Sequence, residues 1–437
     1  MTRSARAVAL DVLVRVEGGA YSNLLLPAAL RKSGLVARDR AFATDLVYGT
    51  LRAQRALDHR LGPALDRSVG ALDPPVRAAL RLGVHQLVSG VPAHAAVGET
   101  VEVAPRRARP LVNAVLRKVA ATGPPWLLPD DDDIAAIGTR LSYPDWLVEY
   151  LITGFGGDDA LAILAAGNEP APVTLRPNLR RTTTDELARE LEADGATVAP
   201  GRLGSGAVVT RGLGDPARAA VVAEGRATPQ DEASQAVVAV FAPEPGDFVL
   251  DSCAAPGGKA TAIAERVGDT GRVVAADVHA GRLALVGRAA SRLGLAVDLV
   301  AADGRALPVR AGAFDRVLVD APCTGLGVLR RRPEARWRVD PDQVAALAAR
   351  QRALVREAAR VLRPGGTLVY SVCTLTREET TAVDEWATAE LPELVALAPP
   401  GPPWRGWGRG ALLLPHDAGT DGMFVLRLRR DPATGGR

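Results

Sequence analysis

Lysine is nearly absent from this chain. Only Lys32, Lys118 and Lys259 occur among its 53 basic residues, so almost all positive charge is arginine. With 44 glycines and 32 prolines, that is the mark of GC-rich coding, and arginine number alone is no sign of a nucleic-acid binder. A lysine kept against that background points to a task arginine cannot do. The net charge of +3 is too small to announce a polyanionic partner. Cysteine is as sparse: Cys253, Cys323 and Cys373 are the whole set. An odd, scattered set argues against a disulfide framework and for a reducing compartment. There is no Cys-x-x-Cys pair and the five histidines are dispersed, so no metal site is expected. No uncharged apolar run reaches the length of a membrane span. Arg3, Arg6, Asp11, Arg15 and Glu17 interrupt any signal-peptide core. A cytoplasmic protein without membrane contact is the expectation.

What is present suggests several domains. At about 100–200 residues per domain, 437 residues predict two to four. Residues 1–122 read as all-helical: Arg3–Val16 and Arg38–Leu51 carry apolar residues at helical spacing, with breaks at Gly18-Gly19, Gly34, Pro74-Pro75 and Pro92. A linker rich in Pro and Asp follows, from Gly123 to Asp133. Residues 137–225 read as a small α+β segment. Its helices are expected over Asp145–Ala166 and Thr184–Asp194, its strands over Val173–Leu179, Val208–Thr210 and Ala220–Ala223. From residue 228 to 430 the pattern alternates. Phe248–Leu250, Arg272–Ala276, Val297–Ala301, Arg316–Val319 and Thr367–Tyr370 are short β-rich runs. Helical stretches such as Ala260–Arg266, Arg282–Leu293 and Asp342–Leu362 lie between most of them. That alternation predicts an α/β domain, a mostly parallel sheet covered on both faces. Leu412–Leu414 and Met423–Leu428 read as a closing antiparallel hairpin.

The chemistry gathers at the expected strand ends. The first β-run of the α/β domain leads into Asp251-Ser252-Cys253-Ala254-Ala255-Pro256-Gly257-Gly258-Lys259. A Gly-rich turn there is where a doubly wound fold binds its cofactor. Alone, it is equally an ordinary tight turn. Asp277, twenty positions after Gly257, can accept from ribose hydroxyls. Asp303 follows the third run and can meet an adenine amino group, and Asp320 ends the fourth. One such acid reads as a helix cap; three at the ends of one sheet do not. Neither Gly-x-Gly-x-x-Gly nor Gly-Lys-Ser/Thr is present, which argues against dinucleotide and P-loop sites.

Asp320-Ala321-Pro322-Cys323-Thr324 then places a cysteine where amino-methylating enzymes carry an aromatic residue. Tyr370-Ser371-Val372-Cys373-Thr374 brings a second cysteine to the next strand end. Either alone reads as a small buried residue. Together, beside an acid, they fit one chemistry. Carbon 5 of cytosine is a poor nucleophile. A thiolate added to carbon 6 converts the ring to an enamine and makes carbon 5 reactive. The thiolate needs partial exposure and a positive neighbourhood. Asp320 can protonate or hydrogen-bond ring nitrogen 3. For RNA, Arg330, Arg331, Arg332, Arg336 and Arg338 with Trp337 form a strip expected to hold phosphates and stack a base. A solvated arginine-rich loop is the alternative. Arg106, Arg107 and Arg109 form a similar cluster, and Arg176, Asn178, Arg180 and Arg181 are expected to add to the groove.

Cys253–Lys259, Asp320–Cys323 and Ser371–Thr374 resemble the motifs of Sun-type RNA cytosine-5 methyltransferases. Thr228–Ser234 and the stretch from His416 to Phe424 look like further elements of that family. The resemblance implies a Rossmann-like class I methyltransferase domain. It implies that S-adenosyl-L-methionine lies against Cys253, Ala254, Ala255, Pro256, Gly257, Gly258, Lys259, Asp277, Asp303 and Asp320. It implies Cys373 as nucleophile and Cys323 as the cysteine assisting product release. Thr324 and Thr374 depart from the serine frequent after each cysteine, but keep a hydroxyl. Tyr21-Ser22-Asn23, Val47–Arg52, Pro92–Val97 and Val112–Arg117 resemble the NusB-like RNA-binding domain. That pairing implies a multidomain 16S ribosomal RNA methyltransferase, acting on RNA or on an assembling small subunit; a monomer is the expectation. A tRNA substrate, or a non-catalytic NusB-like RNA-binding factor, are the alternatives.

Overall fold

Apolar positions at helical spacing become helices in the computed structural model, which describes residues 3–432. They run over Ala5–Glu17, Ser22–Lys32, Ala37–Arg52, Gln54–Leu61, Pro74–Val88, Ala93–Val103 and Arg109–Thr122. Ser4 starts the first, its hydroxyl accepting the Ala7 amide. Pro74 and Pro75 open the fifth, where the missing N–H is no loss. Leu10, Leu13, Val47, Leu57, Leu80 and Leu116 belong to one shared core. Helices Ile134–Leu141, Asp145–Phe155 and Gly157–Ala166 follow. The single helix expected over 145–166 is broken at Gly156, whose φ of 79° lies outside the helical range. All of this folds as one compact unit, which takes in the chain up to Glu169 and a short later stretch, Leu329–Arg338.

The second unit holds the remaining chain, Pro170–Val328 and onward from Val339. Its smaller sheet has strands β1 (Val173–Pro177), β2 (Thr197–Pro200), β3 (Val208–Arg211) and β4 (Ala227–Pro229), in the order β2-β3-β1-β4 and antiparallel throughout. Helix Thr184–Ala193 is set by a reciprocal cap between Thr183 and Glu186. Ala220–Ala223, expected as a strand, is one helical turn. Its Val221 and Val222 bury against Leu175 and Leu187 in the sheet's own core.

The larger sheet contains β5 (Phe248–Asp251), β6 (Arg272–Asp277), β7 (Asp298–Ala301), β8 (Phe314–Asp320), β9 (Leu362–Val372), β10 (Leu394–Ala396), β11 (Arg405–Trp407), β12 (Gly410–Leu413) and β13 (Met423–Arg430). Its order is β11-β12-β13-β9-β8-β5-β6-β7, with β10 added beside β13. From β7 to β9 every pairing is parallel, and β13 returns antiparallel along β9. Helices Glu232–Phe241, Gly258–Val267 and Ala280–Leu293 pack on one another, and Pro341–Val361 packs on β8, β9 and helix Thr381–Glu390. Helix cover on a parallel sheet explains the near-continuous apolar runs of the central strands. Because β5 lies between β6 and β8, the order reverses at its carboxyl end, which is where such sheets open a ligand crevice. The expected multidomain architecture, helical first and Rossmann-like last, is the one observed.

Candidate active site

The turn after β5 is pinned by its own backbone. The Ser252 amide donates to the Leu318 carbonyl and the Ala254 amide to the Ala276 carbonyl, so the turn is tied to both neighbouring strands. Gly257 has φ 110°, and a side chain there would press a Cβ to 3.0 Å of the Val286 Cα. Only glycine allows that packing of turn on helix. Pro256 is the exposed residue of the turn, while Ala254, Ala255 and Lys259 are buried and Cys253 and Gly258 are half-buried. Asp277 ends β6 and accepts from the Ala255 and His279 amides at 3.3 and 2.9 Å. Asp303 lies beyond the end of β7 and is engaged by Arg305 through side-chain and backbone hydrogen bonds, which hold its carboxyl at about 2.

Two groups at the centre carry perturbed chemistry. Asp251 is fully buried, and neither carboxylate oxygen finds a hydrogen-bond partner. Burial first, and Asp320 second, push its carboxyl up to about 7 against the pull of Lys259. The sequence reading passed over Asp251, although its place at the strand end just before the Gly-rich turn was the available signal. Lys259 donates from Nζ to Asp320 Oδ2 at 2.8 Å. Burial works against its charge, but Asp320, Cys373 and Asp251 together outweigh burial and hold the ammonium above the ordinary lysine range. Asp320 also accepts from Ser371 Oγ at 3.2 Å.

Beside this pair the two cysteines meet. Cys323 Sγ and Cys373 Sγ are 3.3 Å apart, close enough for one thiol to donate to the other. None of the three cysteines is in a disulfide. The hydrogen bond to Cys373 first, then burial, push the Cys323 thiol well above its usual range. Cys253 is outside that sulfur–sulfur contact, and burial pushes its thiol up to about 12. The parallel strands hold the pair in register: Asp320 and Ser371 are partners in the β8–β9 ladder. Gly327 closes the arrangement, its amide donating to the Cys373 carbonyl at 3.0 Å and its own carbonyl accepting from Gly422 at 2.8 Å. A Cβ at Gly327 would lie 2.4 Å from the Gly422 oxygen.

The expected arginine strip is different in the structure. Arg336 is fully buried in the first unit. It donates to the Ser142 and Gly167 carbonyls and to Asn168 Oδ1, with its guanidinium 3.8 Å from the Tyr143 ring centre. Arg338 is spent on the Val16, Gly19 and Ala20 carbonyls. Glu334 in the same stretch accepts from both the amide and the hydroxyl of Ser22. These side chains anchor the Leu329–Arg338 stretch in the helical unit, which leaves Arg336 and Arg338 unavailable to phosphates. Arg332, by contrast, is exposed and stacks on Tyr21. In the second unit Arg176 is buried on Gln230, Gly258, Thr261 and Glu265. Asn178 donates to the Gly225 and Leu293 carbonyls, and Arg181 to those of Glu224 and Arg292. Arg180 pairs with Asp269. Arg176 and Asn178 fasten the smaller sheet to the helices over the larger one, while Arg180 and Arg181 are exposed. Arg106 and Arg107 are exposed.

Do these residues fit S-adenosylmethionine? Asp251 is a buried carboxylate whose oxygens accept no side-chain hydrogen bond. That suits a ligand that carries an ammonium group. The parallel sheet, the Gly-rich turn after its central strand and the acids of the neighbouring strands define an S-adenosylmethionine-dependent methyltransferase. Residues 238–429 match the family model of the 16S rRNA methyltransferase RsmB/F. Residues 3–121 match the NusB family, and residues 143–212 the ferredoxin-like domain of RsmF/B-like methyltransferases. The chain is 39% identical to the ribosomal RNA small subunit methyltransferase B of Thermus thermophilus, over 97% of each chain. It is 35% identical to the protein of the same name from Pseudomonas syringae pv. tomato, over 98% of this chain and 96% of that one. Its fold matches the crystal structure of PH0851 with a TM-score of 0.86 at 26% identity, covering 98% of this chain and all of that one. The chain belongs to the RsmB/F family of 16S rRNA methyltransferases.

Proposed function

We propose that this chain methylates carbon 5 of a cytosine in 16S ribosomal RNA, with Cys373 as the nucleophile. The observation that carries the reading is the pair of thiols 3.3 Å apart beside the Lys259–Asp320 ion pair. In this reading the turn Cys253–Lys259 holds the cofactor, with Asp277, Asp303 and Asp320 at neighbouring strand ends; Asp251 joins them. When bound, S-adenosylmethionine supplies an electrophilic methyl group on a sulfonium sulfur. The Cys373 thiolate forms a bond to carbon 6 of the ring, and the electron pair of the carbon 5–carbon 6 double bond is displaced into the ring. Asp320, entering this step protonated, gives its proton to ring nitrogen 3 as that charge arrives, and Lys259 stabilises the carboxylate left behind. Carbon 5 is then nucleophilic enough to take the methyl group. Loss of the carbon 5 proton to solvent restores the double bond and expels the Cys373 thiolate, with Cys323 assisting that release, and ring nitrogen 3 returns its proton to Asp320.

The segments 1–122, 137–225 and 228–430 act in this reading as RNA-binding, RNA-recognition and catalytic parts of one cytoplasmic monomer. Arg106 and Arg107, exposed on the helical part, suit phosphate contacts. The substrate is 16S rRNA, free or in an assembling small subunit. Incubation of Cys323→Ala with RNA and S-adenosylmethionine, followed by a denaturing gel, tests the chemistry. The variant should accumulate a slow-migrating protein–RNA adduct, and Cys373→Ala should form none. An adduct that survives loss of Cys373 would remove that residue from the nucleophile's role.

A further inference from the structure

One carboxylate beside the thiols has no part in the chemistry above. Glu379 is fully buried. Its Oε1 accepts from the Thr324 amide at 3.0 Å and from Gln351 Nε2 at 2.9 Å. Its Oε2 accepts from Thr324 Oγ1 at 2.6 Å and Thr376 Oγ1 at 2.8 Å. Four donors thus converge on its two oxygens. Thr324 and Thr374 are the residues directly after the two cysteines, and their hydroxyls are 2.7 Å apart. With Thr324 donating to Glu379, Thr374 is the donor to Thr324. Gln351 also donates to the Pro322 carbonyl at 3.0 Å, one residue before Cys323. Both cysteine turns are thus tied through one side chain.

The thiols also face charges of opposite sign. Cys373 interacts with the Lys259 ammonium, and Cys323 with the Glu379 carboxylate. The other titratable groups around them are Asp320 at the end of β8, Tyr370 in β9 and Asp251 at the end of β5. Tyr370 donates its hydroxyl to the Glu379 carbonyl at 2.7 Å. Asp320 is paired with Lys259. Glu379 has no such cation among its hydrogen-bond partners, and its charge raises the Cys323 thiol.

We propose that Glu379 is a positioning residue that locks the two cysteine turns together and, by its charge, makes Cys323 the poorer thiolate, leaving Cys373 as the thiol that attacks. This rests on the cysteine reading given above and adds a cause for the division of labour. The hydrogen bond to Cys373 and burial raise the Cys323 thiol first, and the Glu379 charge adds to them.

Site-resolved alkylation of the full-length protein by iodoacetamide, without RNA, tests it. Initial rates at Cys323 and Cys373 are read by mass spectrometry from pH 6 to 10. In the wild type, Cys373 should reach half-maximal reactivity at lower pH than Cys323. In Glu379→Gln, which keeps the length and can reorient its hydroxyl partners, Cys323 should react about tenfold faster near pH 8, as a shift of one pH unit requires. Glu379→Asp retains the charge with a shorter reach, so its Cys323 profile should stay with the wild type even if methylation falls. Binding of S-adenosylmethionine by calorimetry shows that each variant is folded. Reversed order in the wild type, or equal Cys323 shifts in both variants, would overturn the proposal. Loss of methylation in Cys373→Ala, with Cys323 indifferent to Glu379→Gln, would sink this inference alone. Persisting methylation in Cys373→Ala, with Cys323 still responding to Glu379→Gln, would sink the nucleophile assignment and leave the effect of Glu379's charge on Cys323 standing.

Discussion

Lys259 Nζ donates to Asp320 Oδ2 at 2.8 Å, which commits the only lysine of the second unit to the end of β8. In a chain that uses arginine almost everywhere, this site keeps a compact, single-point cation. The side chain is only 10% exposed, so a wider guanidinium has no room without displacing Asp320. Lys259→Arg should therefore lower kcat by about 10²-fold, the scale of a misplaced reacting group, and weaken cofactor binding as well, since Lys259 belongs to the turn read as holding the cofactor. Steady-state kinetics beside calorimetry checks this, and near-normal turnover would contradict it.

Asp251 gives the ligand-free protein a pH signature. Its carboxyl is raised from 3.8 to about 7, with burial the leading cause. The folded chain then binds this proton more tightly than the unfolded chain does. The stabilisation is complete below about pH 4 and is lost as pH rises through about 7. Between pH 5 and 7 the wild type should lose about 2–3 kcal/mol relative to Asp251→Asn. Denaturant titrations of both proteins across that range measure the difference, and parallel curves would refute the assignment.

Arg336 holds the helical unit's late-sequence stretch by three hydrogen bonds and a stacked ring. Arg336→Ala leaves those buried acceptors unpaired and opens space beside Tyr143. The expected cost is about 3 kcal/mol or more. Faster proteolysis within Leu329–Arg338 should accompany it. Unchanged stability would mean that the arginine is dispensable to the anchor.

The parts of this account legible in the sequence are those where local pattern and chemistry coincide. The Gly-rich turn, Asp277, Asp320 and both cysteines stand at strand ends because the apolar runs before them are strands, and short β-rich runs are visible in one dimension. The arginines were less legible. Arg336 finds its partners 194, 168 and 169 positions away, and no local pattern separates such an anchor from a solvated arginine. Ala220–Ala223 resembled a strand because its valines are β-favouring, but tertiary burial against Leu187 made it a helical turn. Glu379 and Asp251 escaped for a related reason. An isolated acid reads as surface until the fold shows it buried, with four donors in one case and none in the other.

The most direct test follows the methyl group. Purified protein is incubated with methyl-labelled S-adenosylmethionine and either 16S rRNA or immature small-subunit particles, and the RNA is digested and its nucleosides chromatographed. The account predicts label in 5-methylcytidine, lost in Cys373→Ala. Label in another nucleoside, in tRNA alone, or undiminished in Cys373→Ala would contradict it.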